Sequence, residues 1–417
     1  MTAPPPADVA GEAWLLTGAD AATDPARYAD HVALLGPCPY WAHELTAGLR
    51  ESGLRGRGGA RFPTWRKWEA VAQRARGRGV VLVNGAEGEP LSWKDRILMA
   101  GRPHLVLDGA FAAGAAVGAS EIVLYVNSTF GDALAALRSA LAERPELQRR
   151  RSPAVRVVEA PARYVAGEET AAVNFVNGRE AIPSFTPPRP FERGVGGRPT
   201  LVQNVETLTL AALIARFGPQ WFRSAGTPAA PGRLLLTVRG AVGRPGTYEV
   251  PHGVSLAEVV AWAGGTHERA AAILLGGYFG RWVPAAWADR VLLDDDALAA
   301  GDLPIGCGVV YVLPETVCGV AETARVLAFL AGESAGQCGP CRHGLPALAG
   351  ALRRVTEGPG GAAERDRLTR WSQQLARGRG ACKHPDGAAG LLRSALHVFG
   401  GEIDRHIAYG PCSGTWT

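Results

Sequence analysis

An unbroken apolar run, Val80–Val83, ends in Asn84-Gly85-Ala86-Glu87-Gly88-Glu89-Pro90, and a second run, Ile122–Val126, follows after an Ala- and Gly-rich helical stretch at 105–118. Strand, helix and strand in that order predict a parallel α/β sheet. A helix over Gly131–Ala142, a strand over Val155–Val158 and a helix from Glu168 continue the alternation, and a Pro/Gly-rich excursion, Pro183–Pro199, then leads to a helix around Val205–Phe217. The α/β domain so outlined covers 46–225. It follows a Pro- and Ala-rich arm, 1–45, that has a helix-like patch near Val9–Leu16 and no catalytic pattern.

A chain of 417 residues exceeds what one core usually organises, so further domains are expected. A linker at Gly226–Gly232 precedes LLLTVRG, a Gly/Pro turn, TYEV, the helix start SLAEVVAWAGG and AAILLGG, which read as a ubiquitin-like α+β module over 232–315. From Cys318 the pattern turns helical. Leu345, Leu348, Leu352 and Val355 recur at three and four residues, as do Leu368, Trp371 and Leu375, then Leu391, Ala395 and Phe399, so a C-terminal helical bundle is expected over 316–417. Lys and Arg number 44 against 39 Asp and Glu, without long basic blocks, which gives no support to nucleic-acid binding. No basic stretch precedes the first short apolar segment, so a cytoplasmic protein rather than a secreted one is expected. The longest apolar tract, Gly109–Ser120, falls far short of the ~20 residues that span a bilayer, so direct membrane insertion is not expected.

Only three Lys (Lys67, Lys94, Lys383) stand among 44 basic residues, and only five Asn occur. Under such a bias the survivors mark places where the particular side chain matters, which singles out Lys67, Asn84, Lys94 and Asn204. The densest glycine cluster, Gly56-Arg57-Gly58-Gly59-Ala60-Arg61-Phe62-Pro63-Thr64, lets backbone approach a phosphate or a flat ring. A turn with no ligand is the plainer reading of such a cluster. Its company decides otherwise, since Lys67 is close by and NGAEGEP follows a strand, and strand C-termini are where α/β sheets bind ligands.

The segments GRGGARFPTWRKW, VNGAEGEPLSWKDR, YVAGEETAAVN and NVETL, in that order, resemble the NADH-binding flavoprotein subunit of complex I, which also occurs as the diaphorase subunit of NAD-dependent hydrogenases and formate dehydrogenases. The resemblance runs from about Ser52 to Ile407. It implies a Rossmann-like FMN domain, an SLBB-type ubiquitin-like module and a helical bundle with a [4Fe-4S] cluster, in an oxidoreductase that takes electrons from NADH. It places Gly58, Gly59, Phe62, Lys67, Asn84, Glu87, Tyr164, Gly167, Glu168, Asn204 and Thr207 around FMN, with Glu89 and Glu169 as carboxylates on the nicotinamide side. Lys67 would supply a cation and donor, and Asn84, Asn204 and Thr207 neutral donors. The implied partners are other electron-transfer subunits, a ferredoxin-like or 2Fe-2S protein among them, and the implied location is cytoplasmic, peripheral to a membrane complex.

Cys338-Gly339-Pro340-Cys341, with Cys382 further on, forms the second constellation. Paired thiolates two residues apart bind metals well. The family pattern is Cys-x2-Cys-x2-Cys with a distant fourth, and here Ala335 stands at the first position. Three readings stay open. They are an iron–sulfur centre, either a 4Fe-4S cluster with a non-cysteine fourth ligand or a 3Fe-4S cluster; a Cys3His zinc site using His343 or His384; and a metal-free bundle. Cys307, Cys318 and Cys412 read as small buried hydrophobes that could swing in as a fourth ligand.

The nicotinamide side departs from the family. Arg61 and Trp65 replace small residues, Ala70 replaces an aromatic, and Thr186 and Arg189 replace a lysine and a phenylalanine. Two functions follow: an NAD(P)H dehydrogenase subunit, or an electron-carrier adaptor, ferredoxin- or partner-linked, with weak or no NADH oxidation. The loss of two stacking rings and the bulk of Arg61 lead to the expectation that NADH reduces the flavin poorly.

Overall fold

The computed structural model describes residues 14–16, 27–37, 44–144, 152–358 and 363–412. The expected helical patch near Val9–Leu16 lies outside them except for its last three residues. By its internal contacts the chain divides into two units, one of Met1–Thr237, Gly246–Val254 and Asp294–Asp296, the other of Val238–Pro245, Ser255–Leu293 and Ala297–Thr417.

The first unit holds strands β1 (Gly79–Gly85), β2 (Ala119–Asn127), β3 (Ala154–Ala160) and β4 (Thr200–Asn204) in one sheet, ordered β3-β2-β1-β4 and parallel throughout. Val80–Val83 are at most 1% exposed, as a strand covered on both faces requires. Helices Pro103–Val117, Gly131–Ala142 and Glu169–Val176 follow β1, β2 and β3, so the predicted alternation is observed. Pro103–Val117 is buried along nearly its whole length, and Gly109 faces the Leu208 backbone of the helix Val205–Arg223 so closely that any Cβ would collide. That helix bends at Gly218, before Pro219, which is why its apolar pattern fades at Phe217 although a last turn continues to Arg223. The expected arm is anchored where it is described: the backbone N–H groups of Trp14, Leu15 and Leu16 donate to the buried Glu249 carboxylate.

The second sheet contains β5 (Arg233–Gly240), β6 (Gly246–Pro251), β7 (Ala270–Leu275), β8 (Arg281–Pro284) and β9 (Val309–Pro314), ordered β6-β5-β9-β7-β8, and the division between units falls within β5. Helix Leu256–Trp262 opens with a reciprocal cap between Ser255 and Glu258. The second unit ends in helices Gly319–Gly332, Leu345–Glu357, Ala363–Leu375, His384–Val398 and Gly400–Tyr409. Leu345, Leu348, Leu352 and Val355 are all buried, as their spacing predicts. Among the described residues no helix is long and apolar enough to cross a membrane.

Candidate functional site

From β1 the chain steps outward to β2 and β3, then returns to the opposite edge of β1 as β4. The strand order reverses between β1 and β4, and the crevice outside the carboxyl ends of the strands at such a reversal is the usual ligand position of open α/β sheets. Asn84 and Asn204, the two predicted donors, are register partners there. Asn204 caps the helix Val205–Arg223, its Oδ1 accepting from Thr207 N at 3.4 Å, while its Nδ2 donates to Asp95 Oδ2 at 2.6 Å. Asn84 Nδ2 donates to Gly167 O at 2.8 Å and ties down the turn Tyr164–Gly167.

The glycine-rich loop is fastened from the same side. Arg57 N donates to Thr207 Oγ1 at 2.9 Å, and a Cβ on Gly58 would lie 3.4 Å from Asn204 Cβ. Gly59 has φ 101, and the half-exposed Phe62 accepts from Gly56 N through its carbonyl. Lys67 Nζ lies 3.1 Å from Glu169 Oε1, and Tyr164 Oη donates to Glu89 Oε2 at 3.1 Å. The loop, Lys67, Asn84, Glu89, Tyr164, Gly167, Glu169, Asn204 and Thr207 are thus linked around one crevice.

Two predicted carboxylates also hold the backbone. Glu168 caps the helix Glu169–Val176, accepting from Thr170 N, Thr170 Oγ1 and Ala171 N. Glu87 accepts from Ser92 Oγ at 2.7 Å, Asp95 N at 3.0 Å and Arg96 N at 2.8 Å, closing the start of the helix Lys94–Gly101. Burial, and then the nearby Asp95, raise Glu87 from 4.5 to about 7. A carboxyl raised on folding binds more protons folded than unfolded, so its contribution to stability is full below about pH 4.5 and is lost as pH rises toward about 7. Glu87→Gln is expected to flatten the stability profile in that window, as read by urea unfolding from pH 4.5 to 7.5.

Beneath the crevice lies an ionic cluster of which only Lys94 stands out in the sequence. Lys94 Nζ sits 2.9 Å from Asp95 Oδ1 and 3.0 Å from Glu206 Oε2, with all three residues at most 4% exposed. Arg57 adds contacts to His252 Nε2 at 2.9 Å and to Arg233 O at 2.8 Å. Arg61, expected to crowd the nicotinamide side, is held by Asp295, with Nε to Oδ1 and Nη2 to Oδ2 both at 2.8 Å. Its guanidinium is already paired.

In the second unit, Cys338 and Cys341 flank the start of the π-helical turn Pro340–Gly344, and Cys382 lies just before the helix His384–Val398. Burial, then the proximity of Cys338 and Cys382, push the Cys341 thiol up to about 12. Cys338 is thus within side-chain reach of Cys341, and Cys382 is near enough to act on its charge. His343 is exposed, whereas His384 is buried with Nε2 on Leu330 O at 2.7 Å. Cys307 and Cys318 are partly to fully buried, but Cys412 is exposed, contrary to its reading as a buried hydrophobe.

Three stretches match known family models: the Nuo51 FMN-binding domain over 49–212, the SLBB domain over 235–277 and the NADH-ubiquinone oxidoreductase-F iron-sulfur binding region over 321–406. An F-type NADH-quinone oxidoreductase subunit of Rhizobium meliloti (strain 1021) is 34% identical over 384 residues, covering 89% of this chain and 91% of that protein. The chain belongs to the NADH-quinone oxidoreductase-F family. The corresponding protein of Mycobacterium bovis is 32% identical over 93% of this chain and 89% of its own length. The NAD+-reducing [NiFe]-hydrogenase in its H2-reduced state superposes with a TM-score of 0.85 at 30% identity, covering 95% of this chain and 67% of that one. As a member of the NADH-quinone oxidoreductase-F family, the chain is an oxidoreductase subunit that uses FMN and an iron–sulfur cluster.

The donor sets have the chemistry the two groups need: Lys67 brings a cation and Asn84 and Asn204 amides for FMN, and Cys338, Cys341 and Cys382 bring sulfur for iron. In the crevice of this oxidoreductase-F protein, Gly88 packs against the turn Tyr164–Gly167, where a Cβ would stand 2.6 Å from Tyr164 O and 2.9 Å from its Cα. Forcing a methyl into such a contact commonly costs about 1–3 kcal/mol. Gly88→Ala is therefore expected to push this turn off the crevice and to lower the FMN retained per chain after gel filtration, read from flavin absorbance. At the cluster, a thiol buried against two others is costly to ionise alone, and bound iron reverses that cost. The fit extends to three thiolates, since Ala335 occupies the fourth position of the family pattern.

Proposed function

We propose that this chain oxidises NADH at the FMN held between the ends of β1 and β4, and delivers the electrons through a cluster bound by Cys338, Cys341 and Cys382 to a ferredoxin-like or 2Fe-2S partner. Bound FMN would accept electrons as a pair and release them singly, which is what couples a nicotinamide to an iron–sulfur centre. The observation that carries this reading is the pairing of Asn84 with Asn204 at the strand reversal, with the Lys67–Glu169 pair beside it.

In this reading Lys67 supplies the cation of the site, with Glu169 restraining it. Asn84 and Asn204 orient the ring and side chain of FMN while fixing the backbone around it, and Thr207 holds the glycine loop in place. Glu89, oriented by the Tyr164 hydroxyl, and Glu169 line the nicotinamide side, whereas Glu87 and Glu168 shape the backbone that forms the pocket. Phe62 borders the opening. The division into an arm (1–45), an FMN domain (46–225), an SLBB-type module (232–315) and a cluster-bearing bundle (316–417) belongs to the same proposal, as does a cytoplasmic location peripheral to a membrane complex.

The adaptor reading, with weak or no NADH oxidation, is the less favoured one. Relatives matching along nine-tenths of the chain are named as NADH-quinone oxidoreductase subunits, and the pairing of Arg61 with Asp295 weakens the argument that it blocks the nicotinamide. Loss of a charged hydrogen-bonding partner costs about 1.5–3 kcal/mol, so Lys67→Ala is expected to weaken FMN binding by roughly one to two decades. Flavin fluorescence titration of the FMN-free protein tests it; unchanged affinity in both Lys67→Ala and Asn84→Ala would move the flavin site elsewhere.

A further inference from the structure

Cys318, His406 and Cys412 are far apart in sequence, yet they present their Sγ, ring nitrogen and Sγ atoms within 4.8 Å of one another, the one such trio among the described residues. They border a cavity of about 410 Å3 in the second unit. Cys318 Sγ stands 3.6 Å from His406 Nε2. Tetrahedral zinc with a Zn–S bond of about 2.3 Å and a Zn–N bond of about 2.05 Å has an S···N edge of about 3.6 Å.

The imidazole is prepared for ligation. His406 is buried, and its Nδ1 lies 3.3 Å from Val355 O, a partner that can only accept. Nδ1 therefore carries the proton and Nε2 offers its lone pair toward the sulfurs, the arrangement typical of a metal-ligating histidine. Cys412 N makes a long contact to that same Nε2 at 3.4 Å, which a bound metal would replace. Cys318 caps the helix Gly319–Gly332, its Sγ accepting from Ala321 N at 3.4 Å, so the helix terminus favours a thiolate there. Burial works against that thiolate and pushes the thiol up to about 12, a cost that a bound cation removes. Glu402 lines the same cavity, its Oε2 4.0 Å from Cys318 Sγ and outside the trio.

We propose that Cys318, His406 and Cys412 bind one Zn2+ ion, with a water molecule completing the coordination. Binding replaces the two thiol protons by metal–sulfur bonds and leaves His406 protonated on Nδ1, so two protons leave for each Zn2+ bound and no oxidant or reductant is needed. The ion would fasten the segment after the helix Gly400–Tyr409 to the start of the helix Gly319–Gly332. The cysteines assigned to the iron–sulfur cluster take no part.

The test uses the full chain as purified, with zinc and iron measured per chain by elemental mass spectrometry, followed by chelator treatment and titration with Zn2+ alone. Retention of about one zinc per chain and a release of about two protons per Zn2+ on rebinding are expected. Cys412→Ser, at an exposed position, is expected to lose the zinc while keeping its iron. Cys338→Ala/Cys341→Ala is expected to do the reverse, so failure here is distinguishable from failure of the iron–sulfur assignment. Zinc undiminished in Cys412→Ser, no zinc uptake by the intact chain, or a zinc-free Cys318–Cys412 disulfide found by peptide mapping would each overturn the proposal.

Discussion

Replacing Cys338 and Cys341 together by alanine is expected to strip iron and sulfide from the protein while FMN remains bound. Each substitution removes one sulfur atom and little volume, so the bundle should keep its fold. Cys341 is 2% exposed and has Cys338 and Cys382 as neighbours, so the double variant leaves a single thiolate where the cluster needs three. The flavin residues all lie in the first unit and the cysteines in the second, so the two losses should separate. Iron, sulfide and flavin per chain, with electron paramagnetic resonance of the reduced protein, check it. Ala335→Cys supplies the complementary arm: restoring the family's four-cysteine pattern should change the cluster's resonance signature. Iron that survives the double substitution would place the cluster elsewhere.

Glu206→Ala is expected to destabilise the first unit by about 3–5 kcal/mol, the usual effect of removing one partner from a buried ion pair. Burial works against the Lys94 charge, but Asp95, Glu206 and Glu87 outweigh it and raise its pKa, so the ammonium stays charged inside the protein. Without Glu206 it keeps Asp95 as its nearest partner, and Leu235 N loses its acceptor at 3.0 Å. Asp95 also receives Asn204 Nδ2, so the disturbance should reach the crevice and weaken flavin binding. Chemical unfolding of Glu206→Ala, Lys94→Met and the double variant measures the coupling. The double variant should be less destabilised than the two single effects added together, because the Lys94–Glu206 interaction is then lost once rather than counted twice. Additive effects would mean that this pair contributes no coupling energy.

What the sequence disclosed and what it hid follow from the range of the interactions concerned. β1, β2 and the helix Gly131–Ala142 were readable because local apolar runs define them. β4 was not predicted: it is five residues long, follows a Pro-rich excursion, and gains its place only by pairing with β1. The helix Lys94–Gly101 was also missed, since the side chain that caps it is Glu87, seven residues upstream and folded back. The same fold-back explains why Glu87, placed among the flavin residues by resemblance, has its carboxylate on a helix terminus. Scarcity marked Lys94, but no local pattern ties it to Glu206, more than a hundred residues away. Nor does any local pattern tie Arg61 to Asp295, because that partner lies in a distant segment.

The most direct test of the account is an anaerobic titration of the FMN- and iron-loaded protein with NADH, followed by flavin absorbance and by electron paramagnetic resonance of the cluster. A few equivalents of NADH should bleach the flavin and bring up the signal of the reduced cluster, a signal that is absent from Cys338→Ala/Cys341→Ala. A flavin that stays oxidised with NADH yet is bleached by dithionite would contradict the account and restore the adaptor reading.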